Sequence, residues 1–329
     1  MIFLKKIVLF LLLFSFVNNC YALSSEYIAV DIDSGRVLEG SNINKKRLIA
    51  STTKIMTCLV VLENFDLNKE IVVGEEVVKM YGTNIYLSVG EEMKVIDLLY
   101  GLMLRSGNDA AITLAVNLCG SEESFVYLMN KKAQELGMKN TSFENCHGLD
   151  DSTKNYSTAY DMSLLSRYAY NNKTYRKIIS TKKYSCKSSV KTYIWYNRMS
   201  LLNKYKYCVG GKNGYTPRAK KSLVSYSKKN NMTVSVVSLY DNDIYSNHTS
   251  IYNKVYRKYN RYLILDKNSL YGFYIKKDYY YPLKSDEVEN VSVLIKMYKE
   301  TLNNNNAGKA EILLGNKKVN TIKIYKKSA

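Results

Sequence analysis

The first apolar run of the chain covers residues 7–17, follows Lys5 and Lys6, and is too short for an ordinary bilayer span. Cys20-Tyr21-Ala22 behind it has a small-x-small pattern, so the run predicts an export signal cleaved near Ala22. Lipid attachment at Cys20 and an uncleaved anchor are the alternatives, and Asn18-Asn19 fits the former poorly. Residues 27–31 alternate as a strand, Asp33-Ser34-Gly35 is a turn, and residues 36–39 return, which predicts a hairpin. An apolar run at 55–62 predicts a helix, and residues 95–104 carry Ile96, Leu98, Leu99, Leu102 and Met103 at helical spacing. A second apolar helix is expected over 110–118, stopped by Gly120, then amphipathic helices over 122–136 and 162–170. Residues 65–93 predict short strands and loops, and 174–208 short strands with a loop around Trp195-Tyr196-Asn197. A strand pair at 222–226 and 232–239 precedes a helix over 241–259. Beyond about 262 the helical period disappears, and 271–275, 291–295, 310–314 and 319–325 predict short strands.

Strands and helices thus both occur before about 262, and strand candidates alone follow it. The expected division is 1–22 as signal, 23–260 as the main domain and 261–329 as the β-rich domain. At 329 residues, 46% hydrophobic, the chain is long enough for a full core. The net charge is +19, and loss of residues 1–22 removes two lysines and no acid, leaving +17. So basic a chain would ordinarily suggest nucleic acid, but an export signal excludes it and makes anionic wall polymers or a membrane surface the expected counter-charge. The six cysteines form no C-x-x-C pair, so no zinc or redox site is expected. Cys58 and Cys119 read as core residues, and a Cys186–Cys208 disulfide is left open.

Three polar segments stand out against this pattern. Ser51-Thr52-Thr53-Lys54 opens the 55–62 helix, and residues at i and i+3 share a helix face. Partial burial would lower the lysine pKa and let it take the serine proton. Alone, the pair reads as an N-capped helix with a solvated lysine. Only His147 and His248 could serve a Ser-His-Asp triad, which favours a lysine base. Second, Ser106-Gly107-Asn108 is wedged between two apolar helices; alone it is a helix–helix turn. Third, Gly210-Gly211-Lys212-Asn213-Gly214-Tyr215-Thr216 places glycines around a lysine, as a close backbone approach requires; alone it is a glycine-rich turn.

In this order the three segments resemble the S-x-x-K, S-x-N and K-T-G set of penicillin-binding proteins and serine β-lactamases. Ile49 to Thr57, Ser106 to Ala111, His147-Gly148-Leu149 and Gly211 to Thr216 are similar to the low-molecular-mass D-alanyl-D-alanine carboxypeptidases. The resemblance spans about residues 25–258, and more loosely the tail. It implies an α/β (α+β) penicillin-recognising fold of the serine transpeptidase/β-lactamase type, an antiparallel sheet against helices with a helical subdomain, plus a small all-β C-terminal domain. It implies Ser51 as nucleophile, Lys54 as its base and Ser106 as proton relay. Asn108 would bind substrate backbone, Lys212 the substrate carboxylate, and the N–H groups of Ser51 and Tyr215 the oxyanion. The substrate would be a peptidoglycan stem peptide ending in D-Ala-D-Ala, with β-lactams as covalent inhibitors and no cofactor or metal. Lys212 is expected to stay charged while Lys54 is neutral.

Asn213 departs from the family pattern, which has threonine there. Gly214 and Thr216 complete the expected substrate strand, with Thr216 or Arg218 taking over part of the missing contact. Asn197-Arg198 is a second departure. The amphipathic C-terminal helix of many relatives is not expected after the last strand, which carries Lys323, with Lys326 and Lys327 nearby; the expectation is that the enzyme is either released or held to wall or membrane by its basic surface. Two other readings are a β-lactamase, which needs an E-x-x-x-N loop where residues 140–175 offer only Glu144, and an impaired peptidoglycan-binding protein, favoured by Asn213 alone.

Overall fold

A computed structural model describes residues 26–151, 155–302 and 305–327. The expected export signal therefore lies outside the described residues. The central sheet has five antiparallel strands in the order Val37–Ser41, Glu26–Asp31, Met232–Asp241, Lys220–Lys229, Cys208–Thr216. All six residues of Glu26–Asp31 are buried, so this strand has no solvent face. Ile28 and Val30 join one core with Val237 and Leu239, while Tyr27 and Ala29 join another with Val234 and Val236. Helices cover both faces, which is why Tyr27-Ile28-Ala29-Val30 is apolar throughout rather than alternating.

On one face, helix Ile244–Lys258 closes the smaller core with Ile251, Tyr252 and Val255. On the other lies the helical subdomain. Helix Lys54–Asn64 runs through its centre, with every residue from Lys54 to Val61 buried. It packs against helices Glu122–Glu135, Ala159–Tyr170 and Lys173–Ser180. Burying each of Ile55, Met56, Leu59 and Val60 contributes roughly 1.5–3 kcal/mol, which fixes the helix, and the serine just ahead of it, against the sheet.

The expected helix over 95–104 is regular only for Val95–Tyr100. Gly101–Arg105 is π-helical and ends at Ser106 with φ of +66°. The wider turn carries the chain past Ile85 and Trp195, whose side chains lie where a Cβ on Gly101 would sit. The next helix, Asn108–Cys119, starts at the polar segment itself and ends on Gly120 with φ of +80°.

Between 174 and 208 the expectation of strands alone is corrected. Helix Lys173–Ser180 precedes the pair Lys183–Lys187 and Thr192–Tyr196, and Trp195 lies inside a strand. The five cysteines among the described residues are free, so Cys186 and Cys208 form no disulfide. The last segment is β-rich. Asn260–Leu265 pairs with Tyr279–Leu283, and four strands follow in the order Phe273–Tyr274, Lys317–Lys326, Asn306–Leu314, Val291–Leu302. Arg36 in the first hairpin ties this segment to the sheet, donating to Glu287 Oε1 at 2.6 Å and to the Pro282 carbonyl at 2.7 Å. Among the described residues no helix is long and apolar enough to cross a membrane.

Candidate active site

The site forms where the start of helix Lys54–Asn64, the Ser106 turn and the edge strand Cys208–Thr216 converge. Ala50, just before Ser51, has φ of +47°, a left-handed conformation costly for alanine. Two glycines permit it. A Cβ on Gly148, whose φ is +90°, would stand 2.1 Å from the Ala50 carbonyl oxygen. A Cβ on Gly214 would stand 2.7 Å from the Ser51 backbone nitrogen. The turn before Ser51 is thus clamped between two backbones that only glycine lets so near. The clamp explains why glycine stands in His147-Gly148-Leu149 and in the strand after Asn213.

Lys54 is wholly buried and its Nζ has three acceptors: Ser51 Oγ at 3.2 Å, Asn108 Oδ1 at 2.7 Å and the His147 carbonyl. Burial pushes its pKa down to about 7, opposed only in part by Cys146 and Asp109. An ammonium can fill all three acceptors. The neutral amine has a lone pair instead of one proton and can take that of Ser51. A buried lysine next to a serine is therefore both satisfied at rest and ready as a base.

Asn108 is itself held by donating from Nδ2 to the Tyr81 carbonyl at 2.7 Å. Its oxygen is committed to Lys54, so the residue first positions the base, and only its second amide hydrogen is left for a substrate. Asp109, next in sequence, accepts from the N–H groups of Ile85 at 3.0 Å and Leu87 at 3.1 Å, which pins the 81–87 loop beside the turn.

Lys212 Nζ donates to Ser106 Oγ at 3.0 Å and to the Asn213 carbonyl at 2.6 Å. Ser106 thus faces Lys212. Burial first, then Lys54 and Arg198, push the Lys212 pKa well below its usual range. This corrects the expectation that Lys212 stays charged while Lys54 alone is neutral: burial and the neighbouring cations disfavour the charged form of Lys212 as well, and a carboxylate arriving beside it would favour that form.

Thr216 corrects the sequence reading. It lies on the buried face of the strand with Lys212, but its hydroxyl donates to Asp150 Oδ2 at 2.6 Å and accepts from the Ala219 N–H at 2.9 Å. Its one proton is spent, so in this arrangement it has none for a substrate carboxylate. Arg218 is likewise turned to the Asp150 carbonyl at 2.6 Å. Asn213 is half-buried and Tyr215 exposed, both on the edge strand, where alternate backbone N–H groups lack a sheet partner.

Neither histidine competes for the serine. Burial, with Lys54 second, pushes His147 down to about 3, and its Nδ1 accepts from the Leu149 N–H at 3.1 Å. His248 is buried between Ser225 and Ser238, at 2.7 and 2.9 Å. Sequence reading did not anticipate Asp150, Tyr81 or the His147 carbonyl as parts of the site. Arg198 was noted only as a departure, yet its charge acts on Lys212.

A serine, two buried lysines and a second serine, set between a helical subdomain and an antiparallel sheet, define a penicillin-recognising serine acyl-transfer fold. The chain belongs to the D-alanyl-D-alanine carboxypeptidase family, peptidase S11, whose profile matches residues 18–243. It is 38% identical over 216 residues to the D-alanyl-D-alanine carboxypeptidase DacF of Bacillus subtilis, over 64% of this chain and 55% of that one. The chain thus spans about half the length of that relative. Among solved structures it resembles the Streptomyces K15 DD-transpeptidase, with TM-score 0.68 and 32% identity over 71% of this chain and 97% of that one. The Francisella tularensis carboxypeptidase DacD shares the fold with TM-score 0.72 and 22% identity, over 93% of both chains.

Proposed function

We propose that this chain is a serine-type D-alanyl-D-alanine carboxypeptidase that trims the terminal D-alanine from peptidoglycan stem pentapeptides, and that β-lactams acylate the same serine. Neutral Lys54 accepts the Ser51 proton as Oγ attacks the carbonyl carbon of the penultimate D-alanine. The N–H groups of Ser51 and Tyr215 receive the oxyanion; a donor of this kind contributes about 3 kcal/mol to a transition state. As the C–N bond breaks, the proton that Lys54 took from Ser51 is relayed through Ser106, which is bridged to Lys212, to the leaving amine, so D-alanine departs and Lys54 is neutral again. Water then attacks the ester, Lys54 takes its proton, and Ser51 is regenerated. Lys212, with Asn213, Gly214 and Tyr215 on the edge strand, receives the substrate's terminal carboxylate, and the Asn213 amide stands in for the family's threonine. Asn108 supports the base and offers its spare amide hydrogen to the substrate backbone.

In the same reading, residues 1–22 direct export and are removed near Ala22, residues 23–260 form the catalytic domain, and 261–329 an appended β domain. The protein then works outside the cytoplasm at the cell wall, without metal or cofactor. One observation carries the proposal: Lys54 Nζ, wholly buried, lies 3.2 Å from Ser51 Oγ. The experiment is incubation with labelled penicillin, followed by an assay of D-alanine release from a stem pentapeptide. Label on Ser51 together with release is expected. Release that persists in Ser51→Ala sinks the assignment, and label without release would leave a binding protein of the same fold.

A further inference from the structure

A second concave feature lies away from Ser51. A cleft of about 680 Å³ opens where Asp33 of the first hairpin and Arg261 meet the C-terminal strands. Besides Arg261, four lysines line it: Lys267, Lys276, Lys277 and Lys323. Only two carboxylates oppose these five cations, Asp33 and Asp278. Asp33 is already paired with Arg261 at 3.0 Å, and Asp278 accepts from the Lys267 backbone N–H at 2.9 Å. None of the four lysines makes an ion pair with a carboxylate among the described residues.

Two lysines elsewhere in the same segment are matched. Lys296 and Lys309 both pair with Glu311, at 2.8 and 3.0 Å. Two of the cleft's cations also rest on aromatic faces: Arg261 lies 4.3 Å from the Tyr280 ring centre and Lys276 Nζ 5.1 Å from that of Tyr325. These contacts hold charge at the cleft wall. Like charges around a concavity repel one another, and the recess focuses their field on whatever enters. The complement is a ligand with several negative charges along its length. A flat bilayer meets protruding groups first, whereas a strand can lie in a recess.

We propose that this cleft binds a linear polyanion of repeating phosphodiesters, a polyol-phosphate chain, and so tethers the protein to an anionic polymer by a site separate from its Ser51 centre. The inference goes beyond the reading of Ser51 and does not depend on it. Phosphate contacts of this kind release counter-ions, so binding weakens steeply with salt.

The test titrates the full chain with a synthetic glycerol-phosphate oligomer at low and moderate salt. Two variants are compared: Lys267→Gln/Lys276→Gln/Lys277→Gln/Lys323→Gln, and a control with the same loss of charge elsewhere, Lys131→Gln/Lys139→Gln/Lys173→Gln/Lys177→Gln. All eight positions are exposed, so both variants should fold. The cleft variant should lose about tenfold or more in affinity, the control no more than about twofold, and the salt slope should fall only in the former. Equal losses in the two variants would reduce the effect to net charge and overturn the site. No binding of the oligomer by the unaltered chain would overturn it, as would binding to phosphatidylglycerol vesicles that the oligomer does not compete away. Acylation of Ser51 by labelled penicillin should be unchanged in the cleft variant, so failure of the cleft and failure of the Ser51 reading are read separately.

Discussion

Lysine occupies two opposite environments in this protein. At the Ser51 site Lys54 and Lys212 are buried and held by neutral oxygens; in the C-terminal sheet Lys296 and Lys309 face solvent and share one carboxylate, Glu311. Burial without a carboxylate partner depresses a lysine's pKa, and at Lys54, beside Ser51, that makes it a base. Exposure beside a carboxylate keeps it a cation. The same side chain thus supplies proton transfer in one place and surface charge in the other, and the difference lies in the packing around it.

The sharpest way to break this comparison is to remove the buried amine. Lys54→Ala should cut acylation and D-alanine release by about 10²–10⁴-fold, as loss of a general base does, while circular dichroism still reports a folded chain. Next is the backbone clamp. Gly148→Ala places a methyl 2.1 Å from the Ala50 carbonyl at a φ of +90°. It should lower stability by about 1–3 kcal/mol in a denaturant titration and slow acylation by displacing Ser51. Gly120→Ala is the comparison, since it shares the positive φ but meets nothing within 4 Å. It should lose stability without losing rate.

A smaller effect is expected at the substrate strand. Asn213→Thr should lower KM for the stem peptide several-fold with little change in kcat, if the threonine hydroxyl meets the carboxylate better than the amide does. An unchanged KM would show that asparagine substitutes fully. The smallest effect belongs to the exposed lysine. Lys296→Gln should leave the melting temperature and the turnover unchanged within measurement, because an exposed ion pair contributes little.

Much of this was legible in the sequence. Ser51, Lys54, Ser106 and Lys212 could be singled out because three short segments, each ambiguous alone, stand in one order, and the structure brings their side chains together. The sheet and most helices could be read from their apolar period. What could not be read are contacts between distant segments. Thr216 looks free in the sequence, but Asp150, 66 residues earlier, takes its proton. Asn108 looks like a substrate ligand, but the Tyr81 carbonyl and Lys54 claim it first. Helix Lys173–Ser180 is hard to read because its lysines and arginine outweigh its apolar positions, although Tyr175, Ile178 and Ile179 do share a buried face. The strand Thr192–Tyr196 shows its alternation openly, with Tyr193 and Trp195 buried and their neighbours exposed. The π-turn before Ser106 has no sequence period of its own, since its one-residue widening is set by the packing around Gly101.

The central claim about the Ser51 site is that Lys54 works as a neutral base, its pKa brought down to about 7 by burial. Its most direct test is the rate of Ser51 acylation by a labelled penicillin in single turnover, followed across pH. A group that acts when deprotonated gives a rate that rises with pH through its pKa and levels off above it. The account predicts a rising limb centred near pH 7. A rate that is flat across that range, or that rises only near the ordinary lysine pKa of about 10.4, would contradict it.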